Sequence, residues 1–199
     1  MGTVNLECRD SFNVFPDGEE TEHTSEILLL RRENGISLRF ELPVWLTARE
    51  VQKAWLVLFK VPSCWSRVAA SVAETPERYM AFPLRSDATP FGGAFAPPRV
   101  DRKRAVRFCS CRHHGYTEID VTGIVRAWAD GVIVNRGFWL TGCQNARTVV
   151  YASSRSVVPG VCPLLRLHVE NMEPCSPFCE APCTVRVENG PPHGRPMKK

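Results

Sequence analysis

The sequence lacks several features that define broad classes of protein. It has no run of about 18 apolar residues, so we expect no membrane-spanning helix. The opening residues MGTVNLECRDSF show neither the basic segment nor the apolar core of a secretory signal, so we expect none. A Walker loop, a GxGxxG fingerprint and an HExxH motif are all missing. The net charge is only +4 and no single basic stripe stands out, so we expect no nucleic-acid partner.

Helical periodicity is also scarce, and short apolar runs are separated by 16 prolines and 13 glycines. This texture is typical of an all-β sandwich or barrel. The run GISLRFEL at 35–42 alternates apolar and polar residues, as a half-buried strand does. It follows EILLLRR at 26–32 after the turn residues ENG, which predicts a hairpin. The run KAWLVLFKVP at 53–62 is apolar on both faces, which predicts a central strand.

One short helix is predicted near residues 121–130, within DVTGIVRAWADG. Its apolar residues recur at i, i+3, i+4 and i+7 from Val121 to Trp128. Asp120 or Thr122 can accept a backbone N–H at its start, which makes these residues caps and not catalysts. Gly131 can end it in the left-handed conformation.

The length of 199 residues fits one domain of ordinary size plus a tail. We predict an antiparallel β-sandwich of jelly-roll type over residues 1–171. Residues 172–199 are rich in cysteine and proline with little to bury, so we assign them as a C-terminal extension. Segment 85–105 has the composition of a long loop, and such loops in a compact domain are functional or mobile.

The nine cysteines are many for a cytosolic chain of this length and few for a small disulfide scaffold. Because the number is odd, at least one thiol is free or bonded to another chain. Three outcomes stay open for them: intermolecular disulfides, disulfides back onto the domain, and free thiols. The candidates for cross-linking are Cys8, Cys64, Cys143, Cys162, Cys175, Cys179 and Cys183.

The segment CSCRHH offers the best set of metal ligands, with Cys109, Cys111, His113 and His114 inside six residues. Zinc accepts thiolate and imidazole ligands. Structural zinc sites, however, usually combine a C-x₂₋₄-C pair with a distant second pair, and this pair is C-x-C. We therefore favour cysteines that are free or in separate disulfides, and we expect no cofactor.

Aromatic side chains can stack on the apolar faces of sugar rings. Trp45 and Trp65 flank predicted loops and are the candidates for such a platform. The chain order supports neither a Ser-His-Asp arrangement nor a paired-carboxylate one, so we expect no enzymatic activity.

The order of the strands ISLRFELP, AWLVLF, NRGFWLTG, VVYASS and PLLRLHV, with the helix IDVTGIVRAW, resembles the DNRLRE domain. This family is a bacterial β-sandwich module that is also grouped with carbohydrate-binding modules. The resemblance spans roughly residues 8–170, and the pairing of IDVTGIVRAW with YASS and PLL is its most specific part. The chain departs from the family in the middle, where AFPLRSDATPFGGAFAPPRV replaces the usual Trp-Glu and Thr-Trp signature. Its cysteine content is also unusual for the family.

A weaker resemblance is to the prodomains of the transforming-growth-factor-β superfamily, which are also β-sandwiches. It rests on the strand pattern A-x-L-x-L-F-x-x-P and on the helix pattern DVT-x-x-V-x-x-W. The chain shows no convincing basic processing site followed by a cysteine-knot domain, so we favour the bacterial family.

The resemblance implies a non-catalytic structural or adhesive module of a bacterial cell or spore surface. With the cysteines, it suggests a disulfide-cross-linked fibre or layer that forms by self-association or with other surface proteins. The alternative is a carbohydrate-binding module that recognises an acidic or neutral polysaccharide. A surface location without a visible Sec signal is expected, and a cytoplasmic one stays open.

Overall fold

The computed structural model describes residues 1–14, 25–32, 35–62, 78–86, 98–110, 114–143 and 146–170. These residues form two antiparallel sheets and one α-helix, which confirms the predicted all-β sandwich. The C-terminal extension predicted at 172–199 lies outside the described residues, so the boundary at 171 stays a prediction.

Eleven strands are present in the described residues, and most connections carry the chain from one sheet to the other, as in a jelly roll. In chain order they are β1 (Gly2–Glu7), β2 (Asp10–Val14), β3 (Ile27–Leu30), β4 (Gly35–Arg39), β5 (Val51–Lys60), β6 (Arg78–Pro83), β7 (Val106–Cys109), β8 (Gly115–Asp120), β9 (Phe138–Gly142), β10 (Val149–Ala152) and β11 (Leu164–Val169). One sheet has the order β1-β11-β5-β10-β3, with β8 on the other side of β5. The other has the order β2-β4-β9-β6-β7.

The main core lies between the two sheets, because each strand turns one apolar row inward. In β11 the inward row is Leu165, Leu167 and Val169, which are all but completely buried. Strand β5 is central, as predicted, since it pairs with β11 and β10 along one side and with β8 along the other.

The predicted hairpin of 26–32 with 35–42 is wrong. Strand β3 pairs with β10 in one sheet, and β4 pairs with β2 and β9 in the other. Leu28 and Leu30 enter the core from the first sheet, and Ile36 and Leu38 enter it from the second. The two runs therefore lie in different sheets, which lets both apolar rows be buried at once.

The predicted helix is present as α1 (Thr122–Ala129) and packs against β5 and the main core. The carboxylate of Asp120 accepts the backbone N–H of Thr122 at 3.0 Å, and the residue in the N-cap position is Val121. Trp128 packs on Phe138 in the core with 4.6 Å between ring centroids. Gly131 ends the turn with φ of +68°, as predicted. Within the described ranges, no helix combines the length and the apolar character that a membrane crossing requires.

Candidate functional site

The outer face of the five-stranded sheet carries a second apolar cluster, which faces away from the main core. Phe138 and Leu140 of β9 point into the main core, so Trp139 between them points outward. Phe82 of β6 is its cross-strand neighbour on this face. A Cβ atom on Gly35 would lie 1.9 Å from the Trp139 ring, so the glycine lets the indole lie directly on β4.

A groove of about 770 Å³ opens above this cluster. Its apolar floor is formed by Met80, Phe82 and Trp139, with Trp139 only 9% exposed. Its rim is formed by Arg85, Arg99 and Arg102 with the backbone around Val100. We call this site the arginine groove and define it by Met80, Phe82, Arg85, Arg99, Arg102 and Trp139.

Two chain segments after β6 and before β7 hold the rim in place. The backbone N–H of Arg85 donates to the carbonyl of Arg99 at 2.7 Å, and Leu84 forms a β-bridge with Val100. The backbone N–H of Arg99 donates to the hydroxyl of Ser86 at 3.1 Å. These bonds bring the exposed side chains of Arg85 and Arg99 together although they lie far apart along the chain.

Asp101 is the buried anchor of the same segments, with its side chain only 1% exposed. Its carboxylate accepts Arg104 Nη1 at 2.7 Å and the backbone N–H of Lys103 at 3.0 Å, and Arg85 Nη2 lies 3.4 Å away. Burial alone would raise the pKa of Asp101, but these hydrogen bonds and the charge of Arg85 outweigh it and lower the pKa below 3.8. The ionised Asp101 therefore fixes Arg85 at the rim of the arginine groove.

The positive charge continues along β6 and β7 beyond the groove. Arg107 pairs with Met80, and residues directly opposite one another in a sheet share a face. Arg78 lies two residues before Met80 and is therefore on that same outer face. Both arginine side chains are exposed. The outer face thus presents a basic track that is longer than the groove itself.

This arrangement suits the binding of an anionic polymer. Guanidinium groups hold carboxylate, sulfate or phosphate oxygens through paired N–H donors. The partly exposed ring of Phe82 on this floor can contact the apolar face of a sugar ring. Among the described lining residues there is no carboxylate, histidine or cysteine.

The predicted platform residues lie elsewhere or outside the described residues. Trp45 is 49% exposed in the turn that follows β4, so it is accessible but is not part of the arginine groove. Trp65 lies outside the described residues. Trp139 was missed, although the alternation in NRGFWLTG would have placed it opposite to Phe138 and Leu140.

Four cysteines lie in the described residues, and all four are free thiols. Cys8 is buried, Cys143 and Cys162 are partly exposed, and Cys109 is exposed at the end of β7. The other cross-linking candidates, Cys64, Cys175, Cys179 and Cys183, lie outside the described residues.

The structure describes only half of the predicted metal-ligand set. Strand β7 ends at Cys109, and His114 is exposed just before β8, while Cys111 and His113 are outside the described residues. Over the described ranges, no group of three or more His, Cys, Asp or Glu side chains is placed to hold a metal ion.

Comparison with known proteins adds no family assignment. No protein-family model matches the chain, and no curated protein matches it. The similarity to the DNRLRE domain therefore stays a prediction from the sequence.

Proposed function

We propose that this chain is a non-catalytic adhesive module of a bacterial cell or spore surface, of the DNRLRE type. In this proposal it adheres by binding an anionic polysaccharide in the arginine groove. The observation that carries the proposal is the groove of about 770 Å³ with three arginines above an aromatic floor.

The charge distribution favours an anionic ligand over a neutral one. Arg99 and Arg102 have no ion-pair partner among the described residues, and their side chains are exposed at the rim. Arg85 is paired with Asp101, but its side chain is still 58% exposed. Cations that are held without partners next to an open groove attract polyanions and strengthen their binding at low salt.

A binding assay with two polymers tests the proposal. Native affinity electrophoresis measures how strongly a polymer in the gel retards the protein. Wild type and Arg99→Ala/Arg102→Ala are each run in gels that contain polygalacturonate and in gels that contain uncharged dextran. Loss of two solvent-exposed ion pairs of about 1 kcal/mol each weakens binding about thirtyfold. The matched control is Arg49→Ala/Arg155→Ala, which removes two exposed arginines outside the groove.

We expect retardation by polygalacturonate only, loss of retardation in the groove variant and wild-type behaviour in the control. If polygalacturonate binding weakened equally in the groove variant and in the control, the effect would come from net charge, and a binding site in the arginine groove would be contradicted. Equal retardation by dextran would show that the ligand is neutral.

A second candidate function is a cross-linked structural subunit, and the exposed thiol of Cys109 favours it. Cys109 stands on β7, an edge strand of the five-stranded sheet as far as the structure describes it. This position leaves the thiol accessible to a second copy. Non-reducing electrophoresis should then show multimers that collapse with reductant and that weaken in Cys109→Ser. A monomer throughout would contradict this second candidate.

A further inference from the structure

Cys8 and Cys162 occupy matching positions at one end of the β1–β11 pair. Cys8 directly follows β1, and Cys162 lies two residues before β11 begins. The antiparallel register runs on past Glu7, because the backbone N–H of Cys8 donates to the carbonyl of Pro163 at 3.1 Å. Cys8 therefore lies opposite the immediate neighbour of Cys162.

This backbone arrangement fits the geometry of a disulfide. Directly opposite α-carbons in an antiparallel pair lie about 4.5–5.5 Å apart, and a disulfide joins α-carbons about 4.4–6.8 Å apart. At ordinary strand spacing, one residue of offset corresponds to about 6 Å between the α-carbons of Cys8 and Cys162. Cys162 belongs to the irregular segment between β10 and β11, so its side chain is not bound to the alternation of a strand.

Each sulfur atom lies near one member of a serine pair, Ser11 and Ser154, that joins the two sheets. Cys8 Sγ contacts the carbonyl of Asp10 at 3.1 Å, next to Ser11 in the chain. Cys162 Sγ contacts the carbonyl of Ser154 at 3.8 Å. The hydroxyls of Ser11 and Ser154 are 2.9 Å apart. Burial raises the pKa of Cys8 to about 12.

The other two described thiols are not placed to bond to each other. Cys109 pairs with Arg78 from β7, and the backbone N–H of Cys143 donates to the carbonyl of Arg78 from the β9 side. They therefore lie two strand spacings apart, about 10 Å, which exceeds the reach of a disulfide. The strand register therefore brings Cys8 close to Cys162, whereas it keeps Cys109 and Cys143 apart.

We propose that Cys8 and Cys162 form an intramolecular disulfide that ties the first strand of the sandwich to the last. The step is thiol–disulfide exchange with a small-molecule disulfide such as oxidised glutathione. The thiolate of the more exposed Cys162 attacks this disulfide and releases one reduced thiol. Cys8 then loses its proton, attacks the mixed disulfide and releases the second. The protein loses two electrons and two protons, and the glutathione disulfide gains them.

The bond would close a loop that contains nearly the whole described domain. Cross-links across loops this long restrict the unfolded chain most strongly, so the oxidised protein should melt about 10 °C above the reduced one. The disulfide does not depend on the ligand in the arginine groove. Transfer of the domain from a reducing to an oxidising compartment should therefore make it more stable.

Peptide mapping of the full chain tests the proposal without any variant. Cleavage after arginine isolates Cys8 in peptide 1–9 and Cys162 in peptide 156–166, each with no second cysteine. After equilibration with oxidised glutathione and alkylation of the remaining thiols, mass spectrometry should find these two peptides joined. Peptide 1–9 joined to any other peptide, or alkylated while the remaining thiols are oxidised, would overturn the proposal.

The melting temperatures of the oxidised and reduced protein provide a second test of the disulfide. Oxidation should raise it in wild type and in Cys109→Ser, and should leave it unchanged in Cys162→Ser. Cys162 is the better residue to replace because it is only partly buried, whereas a change at buried Cys8 can itself disturb the fold. An equal rise in Cys162→Ser would assign the stabilisation to a different bond.

Discussion

Asp101→Asn is the substitution that tests how the rim of the arginine groove is held. The change keeps the shape of the side chain and removes its charge. The Asn side chain can still accept the backbone N–H of Lys103, so the loss falls on the bonds to Arg104 at 2.7 Å and Arg85 at 3.4 Å. A hydrogen bond between charged groups stabilises a protein by about 1.5–3 kcal/mol.

The free-energy loss is smaller than two such bonds would suggest, because the side chains of Arg104 and Arg85 can be solvated by water after the substitution. The Arg104 side chain is 35% exposed and that of Arg85 is 58% exposed, so neither becomes a buried unpaired charge. We therefore expect Asp101→Asn to lower the free energy of unfolding by about 2 kcal/mol, or the melting temperature by about 4–8 °C. Asp101→Ala also removes the acceptor for Lys103 and should cost about 1 kcal/mol more.

Urea unfolding followed by tryptophan fluorescence measures the difference, with Asp130→Asn as the matched control. Asp130 is the exposed C-cap residue that follows α1, and substitutions at such surface positions change stability by no more than about 0.5 kcal/mol. The pKa of Asp101 is lowered in the folded protein, so its carboxylate stabilises the fold fully at pH values above 3.8. This stabilisation is lost as the pH falls through the pKa of the folded state. The gap between wild type and Asp101→Asn should therefore shrink in strong acid. An equal stability of both proteins at pH 7, or a gap that does not change with pH, would refute the role of Asp101.

Two Gly→Ala substitutions, which each add one methyl group, should change the stability in opposite directions. Gly35→Ala places a Cβ atom 1.9 Å from the Trp139 ring, so it should displace the indole, cost about 1–3 kcal/mol of stability and weaken binding to polygalacturonate. Gly123→Ala lies in α1 with no neighbouring atom within 4 Å, so it should raise stability by about 0.5–1 kcal/mol in the same urea assay. Unchanged binding in Gly35→Ala, or destabilisation in Gly123→Ala, would contradict the account of each position.

The sequence predicts the features that depend on local periodicity. The central strand β5 and the helix α1 each follow from a run of apolar residues with a clear repeat, and Gly131 follows from its place at the helix end. The pairing of β3 is not local. The turn residues between 32 and 35 suit a hairpin and a crossing between sheets equally well, and only burial of both apolar rows decides between them.

The arginine groove is harder to predict because three distant parts of the chain form it. Met80 and Phe82 come from β6, Trp139 comes from β9, and Arg99 comes from the segment before β7. Sequence patterns locate each strand but not its neighbours, so the convergence of arginines over a tryptophan has no local signal. The outward position of Trp139 does have one, in the alternation of β9.

The most direct test of the proposed function follows the five tryptophan indole N–H signals by NMR during titration with a polygalacturonate oligosaccharide. Assignment uses a Trp→Phe variant for each tryptophan. The proposal predicts that the Trp139 signal shifts in a saturable way that weakens at high salt, and that Arg99→Ala/Arg102→Ala abolishes the shift. A shift confined to Trp45 or Trp65, or no shift at any tryptophan, would contradict a ligand site in the arginine groove.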